Sequence, residues 1–387
     1  MKIWSPQQYI SESQKFGVSP DVLSNAIAVS NQMISSDFPV IFTLKHLSQL
    51  TNVHYAALRS IVERNPQRKI YKVFKLKKKR MNCDPYQFRI ITVPEPALLT
   101  AQRWIHERIL KKMAFHPCNT AFVPNGGILM AAMPHCGCSW MIKIDIRNYF
   151  ESIYEGKVYK IFRSIGYQPL VSFELARLCT RVRDYSNPVK KNYAEFSKEG
   201  SLPYKTIEIG HLPQGAPTSP LLSNLCTVKL DKRLLAFSIK NNLTYTRYAD
   251  DIIFSATSDF NRSNCVSFIK EINSILALNG FWPNKNKTKI ITPGARKIVL
   301  GMLVDGPKPK LTKEYKKEIS THLYFLFNGK VGLKKHCLHK GFRSEQGLLN
   351  YLEGKLSFAS YIEPEWAAKM NIRYKAIKMK FESGIIP

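Results

Sequence analysis

Residues 243–256 read LTYTRYADDIIFSA. β-Branched and aromatic residues fill both halves, so the pattern predicts two strands meeting at Ala249-Asp250-Asp251. Aspartate favours turns, and a pair of them at a hairpin tip is ordinary on its own. The setting is not ordinary. Two adjacent carboxylates between Tyr248 and Ile252-Ile253-Phe254 repel each other unless a cation lies beside them.

Upstream, the run Trp140–Ile146, WMIKIDI, is a short β-prone stretch with Asp145 near its end, where an unpaired carboxylate is expensive. Hard divalent cations such as Mg²⁺ take carboxylate oxygens and substrate phosphates together. A pair of them stabilises both the attacking and the leaving oxygen in phosphoryl transfer. Between the acids lies Gln214-Gly215-Ala216-Pro217-Thr218-Ser219-Pro220. Gly and Pro there predict a tight turn before a helix whose N-terminus can face an anion, with Thr218 or Ser219 as the cap. Gly215 allows close backbone approach to a ligand, and Gln214 offers a side-chain amide.

The whole chain is 387 residues with 58 Lys+Arg against 28 Asp+Glu, a formal charge of +30. At 44% hydrophobic and 22% charged residues, wholesale disorder is excluded. The excess charge suits a polyanionic partner, and the interleaved aromatics (Tyr 18, Phe 21, Trp 5) would suit stacking on nucleic acid; a solvated basic surface is the plainer account. The charge is spread along the chain: residues 307–387 alone hold 16 Lys/Arg against 7 Glu. Met113 to Ile142 carries no Lys, Arg, Asp or Glu, yet Pro117, Pro124 and Pro134 break it as a membrane span. No apolar leader opens the chain, and eight cysteines are too dilute for a disulfide scaffold, which points to a cytoplasmic protein with no membrane attachment. His135-Cys136 with Cys138 lacks the second ligand pair of a zinc site.

Residues 1–36 read as polar helix, and Phe42 to Glu63 as two short helices broken near Thr51-Asn52. YKVFKLKKKR and QFRIITVP predict a hairpin, followed by a helix over Leu98 to Met113. Helices are further predicted from Tyr154 to Phe162, Leu221 to Ser238 and Ser263 to Asn279. Short strands are expected at Lys289–Ile291 and Lys297–Val304, with residues 184–210 as loop. After Pro307 and Pro309 the chain is helical and basic. The class is α+β.

In chain order, Ile144-Asp145-Ile146-Arg147-Asn148-Tyr149-Phe150, then QGAPTSPLLSNL, then Tyr248-Ala249-Asp250-Asp251 resemble motifs A, B and C of reverse transcriptases. Gly280-Phe-Trp-Pro-Asn284 with Lys287-Thr288 is similar to motif D, and Leu300-Gly301 within a β-run to motif E. Upstream, FKLKKKR and FRIITVPEPALLTAQRWI resemble the fingers of bacterial members. The resemblance implies a right-hand polymerase fold with an antiparallel-sheet palm and a helical thumb. The implied parts are an N-terminal helical extension (1–40), fingers (41–135), palm with motif A (136–154), an insertion (155–205), palm with motifs B to E (206–305) and thumb (306–387).

Carried over residue by residue, the resemblance implies that Asp145, Asp250 and Asp251 form the catalytic cluster and ligate two Mg²⁺ ions (Mn²⁺ an alternative), with the Ile146 carbonyl as a further ligand. Phe150 falls where a ring excludes a 2′-hydroxyl and selects dNTPs; packing on the strand end is its alternative fate. Gln214 and Gly215 would line the nucleotide and template. Lys78 and Arg89 would meet the triphosphate, with Lys77 and Lys79 equally placed in the same run, and Lys287 would give a proton to pyrophosphate. Ala131-Ala132-Met133-Pro134-His135 resembles the NAxxH element of retron enzymes with Ala131 for the Asn. Val299-Leu300-Gly301 stands where VTG is usual. His135, Val299 and Gly301 are accordingly expected to touch RNA.

That branch implies an RNA-directed DNA polymerase copying a structured non-coding RNA, often also the primer through a 2′-hydroxyl, in anti-phage defence with an effector protein. Other defence-associated reverse transcriptases making repetitive or untemplated DNA are an alternative. So is a non-catalytic RNA-binding scaffold, which would predict a broken acidic set. An RNA-dependent RNA polymerase would more typically carry Gly at position 249 and a polar residue near position 150.

Overall fold

The computed structural model describes residues 6–64, 68–77, 88–182, 209–257, 260–327 and 332–383. The chain opens with α1 (Pro6–Lys15) and α2 (Pro20–Ser35), each with proline in its first turn, where a missing N–H costs nothing. Helices α3 (Leu44–Thr51) and α4 (Tyr55–Val62) follow. The Thr43 hydroxyl caps α3 by accepting from the His46 N–H at 3.1 Å, and Asn52 ends it in the left-handed region at φ 55°. Strands β1 (Tyr71–Lys77) and β2 (Phe88–Pro94) form an antiparallel hairpin pairing Tyr71 with Pro94 and Lys77 with Phe88. Pro96 then starts α5 (Pro96–Arg108).

Next come α6 (Ile128–Ala132), β3 (Trp140–Asp145), α7 (Glu155–Ile165), α8 (Pro169–Cys179), α9 (Ser219–Cys226) and α10 (Val228–Lys240). The predicted hairpin is β4 (Thr244–Tyr248) and β5 (Asp251–Ala256), followed by α11 (Arg262–Leu278) and β6 (Lys289–Ile291). The chain closes with β7 (Ile298–Val299), β8 (Met302–Leu303), β9 (Lys310–Leu311), α12 (Lys313–Phe327), α13 (Leu333–His339), α14 (Glu345–Ile362) and α15 (Pro364–Glu382). Among the described residues no helix is long and apolar enough to cross a membrane.

Two expectations are corrected, and one helix has no expectation to match it. The single helix expected over Leu221 to Ser238 is two. Thr227 interrupts it by donating its hydroxyl to the Ser223 and Asn224 carbonyls at 2.8 and 3.0 Å. Helix α8 has no counterpart in the sequence pattern, because residues 171, 172 and 174–179 are all buried and no polar face marks the helical period. The run Lys297–Val304 is a hairpin, not one strand: Leu300 and Gly301 turn it at φ 46° and 86°. The loop expected over residues 184–210 lies almost wholly outside the described residues.

The chain divides into two compact units. The first comprises Met1–Val123, Asp145–Ala236 and Ile272–Asn284. Its core holds Leu58, Ile61, Leu98, Ile105, Phe162, Leu175 and Leu222 from α4, α5, α7, α8 and α9, all 1% exposed or less. Glu155, at the head of α7, is buried with Arg64 and within 3.6 Å of Arg177, and accepts from the Thr180 hydroxyl at 2.9 Å. A buried carboxylate is tolerable only with such compensation, and loss of one partner would leave a charge stranded. Gly210 lies against this cluster: a Cβ there would sit 2.5 Å from the Arg64 guanidinium.

The second unit comprises Pro124–Ile144, Phe237–Glu271 and Lys285–Pro387. It contains the four-stranded sheet, ordered β4-β5-β3-β6, and the small sheet β7-β8-β9. Met141 and Ile253 from the larger sheet and Val299 and Met302 from the smaller share one apolar core with α12, α14 and α15, through Leu323, Leu352, Leu356, Ala367 and Ile377.

Candidate active site

Strands β4 and β5 pair with Tyr248 opposite Asp251, leaving Ala249-Asp250 as a two-residue loop. Such loops need positive φ at the first position, which glycine meets freely. Here Ala249 adopts it at φ 55°, a conformation costing roughly 1–2 kcal/mol for a residue with a Cβ. Arg247, fully buried, donates from Nη1 to the Ala249 carbonyl at 3.0 Å and holds the strained residue in place. Asp250 and Asp251 emerge half-buried.

Beside β5 runs β3. The Ser139 N–H donates to the Ala256 carbonyl at 2.8 Å, joining the start of β3 to the end of β5, so the two strands are antiparallel. The end of β3 and the beginning of β5 therefore share one end of the sheet; β3 finishes in Asp145 and β5 begins with Asp251. Lys143, two residues earlier on β3, donates from Nζ to the Ile298 carbonyl at 3.0 Å. Burial lowers its ammonium from the ordinary value, and the Asp251 charge pulls it back up.

Asp145 is 7% exposed. Its carbonyl accepts from the Asn284 N–H at 2.7 Å and its Oδ1 from Asn284 Nδ2 at 3.1 Å. Ile146, buried, bridges to Pro283, and the Arg147 N–H donates to the Trp282 carbonyl at 2.8 Å. The sequence around motif D thus forms a three-residue ladder against the sequence around motif A. Sequence reasoning assigned no role to Asn284, although it stands in the quoted motif; nothing local marks which residue it reaches.

Phe150 is half-buried and meets Tyr149 edge-on at 5.4 Å. Tyr149 is buried, donates its hydroxyl to the Ser223 carbonyl on α9 at 3.2 Å and packs on Phe281. The far ring carries Lys157, 4.2 Å from the Phe281 centroid. Burial lowers that ammonium from its usual range.

Gly215 does need its missing side chain, at φ 115°, but the close neighbour is this chain's own backbone. A Cβ would lie 2.7 Å from the Thr92 carbonyl of β2. Thr92 also donates its N–H to the Gln214 carbonyl at 2.8 Å and its hydroxyl to the same oxygen at 3.2 Å. The loop before α9 is therefore docked on the β1–β2 hairpin. The expected hydroxyl cap is absent: Thr218 stands at the cap of α9 without a side-chain hydrogen bond to its first turn.

Arg89 lies exposed on β2, opposite Leu76. Lys78 and Lys79 lie outside the described residues, while Lys77 is the last residue of β1. Lys287 is exposed. His135 and Val299, expected to touch RNA, are buried in this structure, both at 0% exposure. His135 pairs Nδ1 with the Ser255 hydroxyl at 2.6 Å and Nε2 with the Thr246 hydroxyl at 2.7 Å. Burial pushes its pKa down to about 4, so it is a neutral bolt across β4 and β5. Gly301 sits exposed at the β7–β8 turn.

Among the described residues no group of three or more His, Cys, Asp or Glu stands together as a ready metal cage. The donors at the end of the sheet are carboxylate oxygens, which suit a hard divalent cation supplied with substrate phosphates rather than a closed protein site.

Residues 76–325 match the family model of reverse transcriptase (RNA-dependent DNA polymerase). The chain is 30% identical over 298 residues to the retron Ec86 reverse transcriptase of Escherichia coli, covering 77% of this chain and 82% of that one. It is 28% identical to the retron Mx162 reverse transcriptase of Myxococcus xanthus, over 72% of this chain and 59% of the relative. To the retron Ec83 reverse transcriptase of E. coli it is 26% identical, over 81% and 91%. With its α+β right-hand polymerase fold, the chain belongs to the reverse transcriptases: it is an RNA-dependent DNA polymerase of the retron type, working with a divalent metal, an RNA template and a DNA product.

Proposed function

We propose that Asp145, Asp250 and Asp251 hold two Mg²⁺ ions and that the chain copies a dedicated structured non-coding RNA into DNA. The observation that carries this reading is the antiparallel course of β3 beside β5, which ends one strand and begins the other on aspartates. Bound there, the ions would activate the attacking 3′-oxygen and neutralise the leaving pyrophosphate. The Ile146 carbonyl would add an oxygen ligand. Phe150, backed by Tyr149, would exclude a 2′-hydroxyl and admit dNTPs. Gln214 and Gly215 would border the nucleotide and template. Arg89 and a lysine from positions 77–79 would meet the triphosphate, and Lys287 would protonate pyrophosphate.

Residues 41–135 would serve as fingers, 136–154 and 206–305 as palm around an insertion at 155–205, and 306–387 as thumb, after a helical extension at 1–40. Priming from a 2′-hydroxyl of the RNA, a cytoplasmic location and anti-phage defence with an effector protein complete the reading; the charge of +30 supports the polyanionic partner. The test is incorporation of dNTPs against rNTPs on a primed RNA template, with Asp250→Asn in parallel. Wild-type protein should add dNTPs selectively and the variant neither, while RNA binding persists. Full synthesis by the variant would remove the metal assignment.

A further inference from the structure

We propose that Asn284 is a positioning residue that aims the Asp145 carboxylate at the metal; this rests on the reading of Asp145 as a metal ligand. Asn284 grips Asp145 at both ends, main chain to main chain at 2.7 Å and amide to Oδ1 at 3.1 Å. A donor fixed on one oxygen sets the rotation of the carboxylate, and with it the direction of the other oxygen. Residue type matters. A neutral amide orients the carboxylate without cancelling its charge, whereas a lysine would neutralise it and a second carboxylate would repel it. Partners of this kind orient metal ligands elsewhere and tune the affinity of the site.

The position of the amide is set by the backbone. Pro283 fixes its own φ and restricts Trp282 to extended geometry. The Ile146–Pro283 bridge and the Arg147–Trp282 hydrogen bond then hold the strand in register. Because the Asn284 N–H bond is a main-chain contact, replacing the side chain leaves that bond and the ladder standing while removing the amide donor from Oδ1.

The test uses the full-length protein with Asn284→Ala and with Asn284→Leu, which keeps the branched shape of asparagine but cannot donate. Both should melt within a few degrees of wild type. Mn²⁺ binding, followed by electron paramagnetic resonance without nucleotide, should weaken by about 10-fold or more in both. The Mg²⁺ concentration for half-maximal synthesis should rise and kcat fall, with KM for dNTP little changed. A wild-type metal titration in Asn284→Leu would show that shape alone is required and would overturn the proposal. Asp145→Asn serves as the reference. If it loses metal binding while both Asn284 variants keep it, the positioning role fails and the metal reading stands. If Asp145→Asn itself binds metal normally, the metal reading fails and the positioning role falls with it.

Discussion

The β4–β5 hairpin and the ladder that joins residues 145–147 to 282–284 present their aspartates in opposite ways. In the hairpin, the two strands, the loop and the buried Arg247 all come from Thr244–Ala256, and Asp250-Asp251 stands where its immediate neighbours put it. In the ladder, Asp145 ends a strand but is held by Asn284, 139 residues away. One arrangement is written in a dozen consecutive residues and tolerates a strained Ala249 within it; the other exists only once the chain has folded. A carboxylate on a self-contained turn can be recognised by its sequence, while the orientation of one fixed from a distance cannot.

The largest effect expected at the self-contained turn is chemical. Asp250→Asn should lower dNTP incorporation by about a thousand-fold or more, the loss expected when several kcal/mol of transition-state charge stabilisation disappears. Its melting temperature should hardly move, since the buried Arg247 holds the loop through the Ala249 carbonyl, which the substitution leaves in place. A parallel fall in stability would mean the turn is less autonomous than its contacts indicate.

Next in size is the external bolt. His135→Ala would take one hydrogen-bond partner from each of the Thr246 and Ser255 hydroxyls and remove a buried side chain, costing about 2–4 kcal/mol by chemical denaturation. The same imidazole makes the fold acid-sensitive. Its folded pKa of about 4 lies below the 6.5 of the free group. Between those values the unfolded chain binds the extra proton, so stability is complete above about pH 6.5 and falls toward pH 4. That loss amounts to about 3 kcal/mol. His135→Leu should flatten this part of the stability–pH curve, and an unchanged curve would assign the acid sensitivity to other groups, of which His322, also lowered to about 4 by burial, is one.

On the side of contacts made at a distance, Gly215→Ala places a Cβ 2.7 Å from the Thr92 carbonyl at φ 115°. It should destabilise by about 1–3 kcal/mol, read as a lower denaturation midpoint with an unchanged slope. Smallest, and opposite in sign, is Ala249→Gly. Relief of the left-handed alanine should raise stability by about 1 kcal/mol, a shift of a few degrees in melting temperature. Destabilisation instead would show that the alanine side chain packs usefully in the turn.

Much of the fold is legible in the residue pattern alone. The strand runs around Asp250 and at residues 71–77 and 88–94, the break at Asn52 and the helices of the basic C-terminal region all appear as expected. What the pattern does not show has separate physical reasons. Helix α8 is buried on nearly every side, so no amphipathic pattern announces it. Thr227 splits a continuous helical signal through a side-chain hydrogen bond that competes with the backbone. The element around His135 suggests an RNA contact, yet both ring nitrogens are engaged by hydroxyls more than 100 residues away.

By itself the sequence determined the ordered set of short motifs, the acidic turn and hence the family. Each of these is carried by residues adjacent in the chain, whose strand pattern and turn chemistry act over a few positions. Only the tertiary structure decided that Asn284 grips Asp145, that Thr92 is what Gly215 makes room for, and that His135 is saturated in the core. The reason is physical: hydrogen bonds and close approaches between segments more than 100 residues apart depend on where packing brings the backbone, which no local preference encodes.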